Sequence, residues 1–192
     1  YFFYFAVIGG FMPYWGLYLQ SLGFDAEAIG QLSAIVMATR IIAPNFWGYI
    51  ADKTGQRLRL VRLGAAMITL GWLGVFVARE FWPLAAVLLV YGFFQKAILS
   101  QFEAVTLAHL GEQRERYSQI RLWGSLGFIA TGTGLGLYFE YFPVSHLPLA
   151  LLVCALATCL ASAFVPDIAT PKRLPDSQGF LAILQRRPVW MF

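Results

Sequence analysis

The stretch Gly48-Tyr49-Ile50-Ala51-Asp52-Lys53-Thr54-Gly55-Gln56-Arg57-Leu58-Arg59 stands between two long apolar runs. Its residues suit a short turn at a membrane surface. Gly55 supplies the backbone freedom that a tight turn needs. Asp52 can cap a helix end or pair with a neighbouring arginine. Gly48 permits another helix to come close. Lys53, Arg57 and Arg59 suit an anionic headgroup layer. The ordered pattern G-x-x-x-D-x-x-G-x-R-x-R therefore reads as a loop joining two membrane spans.

The composition agrees. Of 192 residues, 59% are hydrophobic and only 12% charged. A soluble domain carries about 25% charged residues, so this chain has too few to cover a water-facing surface. A span needs about 20 mostly apolar residues. Six runs qualify, at 2–20, 30–50, 63–77, 83–110, 117–138 and 147–165. The third is the shortest and can borrow 58–62 as a snorkelling end. Pro13 and Pro44 fall inside runs, which a membrane bundle tolerates because neighbouring helices satisfy the freed carbonyls. The expected fold is all-α: a polytopic bundle of six transmembrane helices over 1–165.

Basic residues set the expected orientation. Lys53, Arg57, Arg59 and Arg62 follow the second run, Arg114 and Arg116 the fourth, and Lys172, Arg173, Arg186 and Arg187 the sixth. The alternate loops hold only Arg79. Such asymmetry places the basic loops and both chain ends in the cytoplasm. The formal charge of +4 thus reflects membrane topology and implies no nucleic acid partner. The segment 166–188 carries Pro166, Pro171, Pro175 and Pro188 and reads as a cytoplasmic linker, with 189–192 opening a seventh span. Six spans, a linker and a new span suggest a piece of a duplicated transporter.

Four ionisable residues lie within the runs: Arg40, Lys96, Glu103 and Arg121. Each costs about 2.5–3.5 kcal/mol at mid-span, so such groups face a polar cavity or a partner. Arg40 is about 15 Å from either end of its run by helical rise, too deep to snorkel. Lys96 is equally central. Lys96, Ser100 and Glu103 share one helix face, flanked by Gln95 and Gln101. Glu103 precedes its loop by eight residues and Arg121 follows it by six. In a hairpin their depths agree within about 3 Å, so they can meet. Geometry leaves open a structural salt bridge or a substrate-binding pair. Breaking a buried pair costs about 3–5 kcal/mol.

The loop pattern resembles the signature loop of the major facilitator superfamily, where it gates alternating access. Gly48, Asp52, Gly55 and Arg57 are on that resemblance the gating motif. Phe102-Glu103-Ala104 and Arg121-Leu122-Trp123-Gly124-Ser125-Leu126-Gly127-Phe128 resemble the matching helices of lactose permease-like proteins. Met12-Pro13-Tyr14-Trp15, Thr39-Arg40-Ile41-Ile42-Ala43-Pro44 and 117–128 extend the likeness to the 3-phenylpropionate transporter-like and nucleoside:proton symporter-like permeases. The resemblance implies that Glu103 and Arg121 contact substrate, and adds Tyr14 and Phe128 to Arg40 and Lys96. Phe128 stands where lactose permease-like proteins stack a sugar on Trp, which weakens a galactoside assignment. Three positive groups against one negative suit an anionic solute such as an organic carboxylate.

The expected function is therefore secondary active transport of a small organic solute, with no enzymatic activity. The resemblance implies a proton as coupling ion, no other cofactor and no metal. It implies a bacterial inner membrane, with the lipid bilayer and a C-terminal six-helix half of the same polypeptide as partners. Sugar or nucleoside symport is the alternative within the superfamily. A polytopic enzyme is a poorer reading, because His109 and His146 fall on opposite sides of the membrane and Cys154 and Cys159 do not share a helix face. A structural protein leaves the intramembrane charges unexplained. The glycines at 124, 127, 132, 134 and 136 lie in an apolar span and suit close helix packing, not a nucleotide loop.

Single cysteines tested with a membrane-impermeant thiol reagent check the orientation. Positions 53–62 are expected to react only from the cytoplasm, and Glu80 and Glu140 only from outside; the reverse pattern overturns it.

Overall fold

The computed structural model describes residues 1–167, all of them helix or short connection with no strand. The helices are α1 (Phe2–Ser21), α2 (Ala26–Thr54), α3 (Arg57–Trp72), α4 (Phe81–Leu110), α5 (Tyr117–Phe139) and α6 (Leu147–Ala163). A 3-10 turn at Leu73–Phe76 lengthens α3 to 20 residues, enough for a span. Others at Arg114–Arg116 and Val144–His146 lead into α5 and α6. A helix stands at each of the six expected spans. Five are apolar and long enough to cross a membrane. The exception is α5, which is 23 residues long but diluted by Gln119, Arg121, several hydroxyls and glycines. Of the expected linker only Pro166 and Asp167 are described; the rest of 166–188, and 189–192, lie outside the described residues.

Local chemistry sets the helix ends. The Asp25 carboxylate accepts from the Ala28 N–H at 2.8 Å and caps the start of α2. Gly55 closes α2 with φ +68°, a left-handed conformation that glycine adopts without penalty. Pro13 and Pro44 stay inside α1 and α2. Pro13 withholds the N–H that would bond the Gly9 carbonyl. That carbonyl lies against Gly132 of α5, where a Cβ would stand 3.3 Å away.

Packing does not follow chain order. α4 packs between α2 and α3, α1 between α5 and α6, and α3 against α6. α4 and α5, neighbours in sequence, touch only sparsely. The glycines explain the α1–α5 seam. A Cβ on Gly127 would stand 2.2 Å from the Phe2 carbonyl oxygen, and one on Gly9 2.3 Å from that of Phe128. Gly124, Gly132 and Gly136 also face α1, whereas Gly134 meets nothing within 4 Å and takes no part in the close packing expected of it.

Aromatic tips tie the helices together. Tyr14 donates to the Gly132 carbonyl at 2.6 Å, Tyr4 to the Gln95 carbonyl at 3.2 Å, and Trp47 to the Phe93 carbonyl at 3.1 Å. Trp72 donates to the Pro148 carbonyl at 3.0 Å. At the other end of α3, Arg62 donates to the carbonyls of Ser162, Ala163 and Val165, capping the C-terminal end of α6.

One close approach governs the middle of the bundle. A Cβ on Gly92 of α4 would stand 2.5 Å from Thr39 Oγ1 of α2. Thr39 cannot turn aside freely, because its hydroxyl donates to the Val36 carbonyl at 2.7 Å. Gly92→Ala is expected to lower stability by about 1–3 kcal/mol, the usual cost of overpacking. Adding Thr39→Ala should restore much of the loss. Thermal unfolding of the purified protein checks both, and a melting temperature unmoved by Gly92→Ala refutes the close contact.

Candidate functional site

The site is built on α4, whose long axis carries two separate groups of charge. The first is at its middle. Ile8, Phe11, Met12, Pro13, Trp15 and Gly16 from α1, Ser33, Val36, Met37 and Arg40 from α2, and Tyr91, Gln95 and Lys96 from α4 enclose a cavity of about 320 Å³. Ligand sites begin at about 300 Å³, so this volume suffices for a small solute. Arg40 reaches it because Thr39, one residue earlier, lies against Gly92, one helical turn from Lys96. The Lys96 ammonium donates to Gln95 Oε1 at 3.0 Å. No carboxylate lines the cavity. α5 packs against α1 and contributes no lining residue.

The second group lies about 10 Å further along α4, toward Leu110, by helical rise. Glu103 Oε1 and Arg121 Nε are 3.8 Å apart, across the gap between α4 and α5. The Arg121 guanidinium lies 3.9 Å from the centre of the Phe5 ring and 5.8 Å from that of Tyr1. Gly124 makes room for that stack, since a Cβ there would stand 2.7 Å from Phe5 and 2.8 Å from Arg121 Nη1. The Glu103 side chain is 36% exposed and that of Arg121 31%, so the pair is not fully buried within the described residues.

The remaining candidates fall elsewhere. The Tyr14 hydroxyl is engaged by the Gly132 carbonyl and its ring meets Phe139 edge-on, in the α1–α5 seam. Phe128 is on the same seam, its carbonyl against Gly9, and the residue is 37% exposed. Neither lines the cavity.

The loop residues form a clamp. Arg57 Nη2 donates to Asp52 Oδ1 at 2.5 Å, and Nη1 donates to Gln101 Oε1 at 2.7 Å. One side chain at the start of α3 thus holds the end of α2 and the body of α4. A Cβ on Gly48 would meet nothing within 4 Å, so no described helix makes the close approach expected there. Gln101, 2% exposed, and Gln95, 5% exposed, are the polar anchors that the sequence reading placed only as flanks. Their sign was glutamine beside a charged stripe in an apolar span; their partners, 44 residues away in the case of Arg57, were not legible. Among the described residues no group of three His, Cys, Asp or Glu could hold a metal.

Residues 1–192 match the family described as MFS_1 like. The chain belongs to this family of the major facilitator superfamily. A maltose permease of Geobacillus stearothermophilus is 29% identical over 94% of this chain and 45% of its own length. A probable 3-phenylpropionic acid transporter of Escherichia coli is 26% identical over 100% of this chain and 52% of its own. A putative nucleoside transporter of Escherichia coli is 27% identical over 90% and 41%. The chain therefore spans about half the length of these relatives. Each is named as a transporter or permease, and this MFS_1-like chain is a multi-pass membrane protein. No solved structure matches it.

Glu103→Gln should cost less than about 1 kcal/mol in thermal unfolding, because a partly exposed pair whose charged atoms stand 3.8 Å apart contributes little. A loss of 3 kcal/mol or more, the scale of a buried pair, refutes that. Arg121→Lys should weaken the stack on Phe5, because an ammonium lacks the planar face.

Proposed function

We propose that this chain is the six-helix half of a proton-coupled secondary transporter whose solute is a small organic anion with an apolar body. The observation that carries this reading is the central cavity, where Arg40 and Lys96 stand among aromatic and aliphatic side chains with no lining carboxylate. Two uncompensated charges at mid-span are costly to keep, and an arriving carboxylate would relieve them. Phe11, Trp15 and Tyr91 offer ring faces to the rest of such a molecule. The relative described as a probable 3-phenylpropionic acid transporter has the matching chemistry in its name.

Movement follows by alternating access, this bundle rocking against a second six-helix half of the same polypeptide. The Asp52–Arg57–Gln101 clamp, at the end of the bundle where α2 meets α3, serves as the gating element. The basic loops support a cytoplasmic position for that end. The Glu103–Arg121 pair favours a second reading, sugar or nucleoside transport, because a charged pair beside the Phe5 and Tyr1 rings can hold hydroxyl groups.

The experiment is uptake by the full-length transporter in proteoliposomes. Radiolabelled 3-phenylpropionate should enter, faster with an inward proton gradient, and 3-phenylpropionamide should not. Arg40→Gln and Lys96→Gln should each cut uptake about tenfold or more, since a charge-assisted hydrogen bond contributes about 1.5–3 kcal/mol. Entry of maltose or a nucleoside that ignores Lys96→Gln but fails in Glu103→Gln supports the second reading and overturns the first.

A further inference from the structure

Lys96 does not hang free in its cavity. Its ammonium can only donate, so the atom of Gln95 facing it at 3.0 Å must be the amide oxygen. The amide nitrogen is then turned the other way, and it donates to the Tyr91 hydroxyl at 3.1 Å. The main-chain carbonyl of Gln95 accepts from the Tyr4 hydroxyl at 3.2 Å. Gln95 is 5% exposed, Tyr4 6% and Tyr91 1%, so the amide is packed in place as well as bonded. One of three ammonium donors is satisfied by it, and two remain for a ligand.

What this partner is not matters as much. α1 carries no acidic residue. α2 carries Glu27 and Asp52, near its two ends, and Asp52 is paired with Arg57. The acid on α4, Glu103, is beside Arg121, about 10 Å along the helix from Lys96. Within the described residues, nothing next to Lys96 cancels its charge. A glutamate in place of Gln95 would have nearly the same shape and would do so.

We infer that Gln95 sets the charge selectivity of the central cavity: its neutral amide fixes the Lys96 ammonium in position and leaves its positive charge for the solute. Gln95 is thus a specificity-determining residue that acts through Lys96. The inference rests on the organic-anion reading of the same cavity and deepens it.

The test compares two probes of one shape, 3-phenylpropionate and the uncharged 3-phenylpropionamide, binding to the purified full-length transporter. The wild type should prefer the anion. In Q95E the preference should fall about tenfold or more, because two like charges a few ångströms apart in a protein repel by several kcal/mol and 1.4 kcal/mol is already tenfold. Affinity for the amide should change little. Equal losses for both probes would mean that Gln95 is only structural, and would overturn the inference, as would an unchanged preference. A wild type without preference sinks the anion reading itself, before any variant is made. Should Q95E not accumulate, Y91F carries the test. It frees the amide to turn while keeping the ring face, and should weaken the anion severalfold more than the uncharged probe. Equal weakening of both probes there, or of neither, overturns the role of Gln95.

Discussion

Hydrocarbon supplies no hydrogen bonds, and the bundle is organised around that fact. A polar atom inside it must find a partner in the protein. Threonine and serine hydroxyls do so within their own helices: Thr69 on the Ala65 carbonyl, Thr106 on Phe102, Thr158 on Cys154 and Ser162 on Cys159. Tyrosine and tryptophan reach further and find the carbonyls of neighbouring helices, which converts a local need into tertiary structure. Trp72 links α3 to α6, Trp47 links α2 to α4, and Tyr14 links α1 to α5. Trp15 Nε1 is buried without a partner among the described residues, its indole held by the rings of Phe11, Tyr18 and Trp72.

The same constraint separates the two groups of charge. Glu103 and Arg121 answer each other, so their electrostatics are largely closed. Arg57 is likewise answered, by Asp52 and by Gln101. Arg40 and Lys96 are different. Gln95 gives Lys96 a hydrogen bond but no counter-charge. Keeping both cations at the middle of their helices is not a device for stability, since each one lowers it. Gly92 and Thr39 nonetheless hold α2 and α4 together at that level, at a separation that a single methyl group would disturb.

Depth was legible in the sequence; azimuth was not. Helical rise is fixed at about 1.5 Å per residue, so counting from a loop places a residue along the membrane normal. That count was enough to bring Glu103 to Arg121 and to put Arg40 and Lys96 at mid-span. Short-range chemistry was legible too, as in Asp52 and Arg57, five residues apart across one turn. Which helices pack together is decided by small residues and side-chain shapes meeting across long sequence intervals. Hence the expected α4–α5 hairpin proves to be a sparse contact, and α5 belongs to α1. Tyr14 follows from the same failure. Its place on α1 was known, but its direction, toward Gly132 and away from the cavity, needed the packing.

Two polar sites at different levels of one helix also bear on which of them the solute's chemistry should be read from. A pair that already neutralises itself can exchange partners with many ligands, charged or not. It therefore constrains the ligand weakly. A cavity with uncompensated positive charge constrains it strongly, because an uncharged occupant would displace water and leave the cations worse solvated than before. The same argument applies to Gln95. An amide and a carboxylate differ little in volume, and packing alone does not choose between them beside a lysine. Electrostatics does: a carboxylate would have stabilised the resting protein by closing the charge of Lys96. The amide, unlike a carboxylate, leaves that charge open among the described residues, at the cost of resting stability.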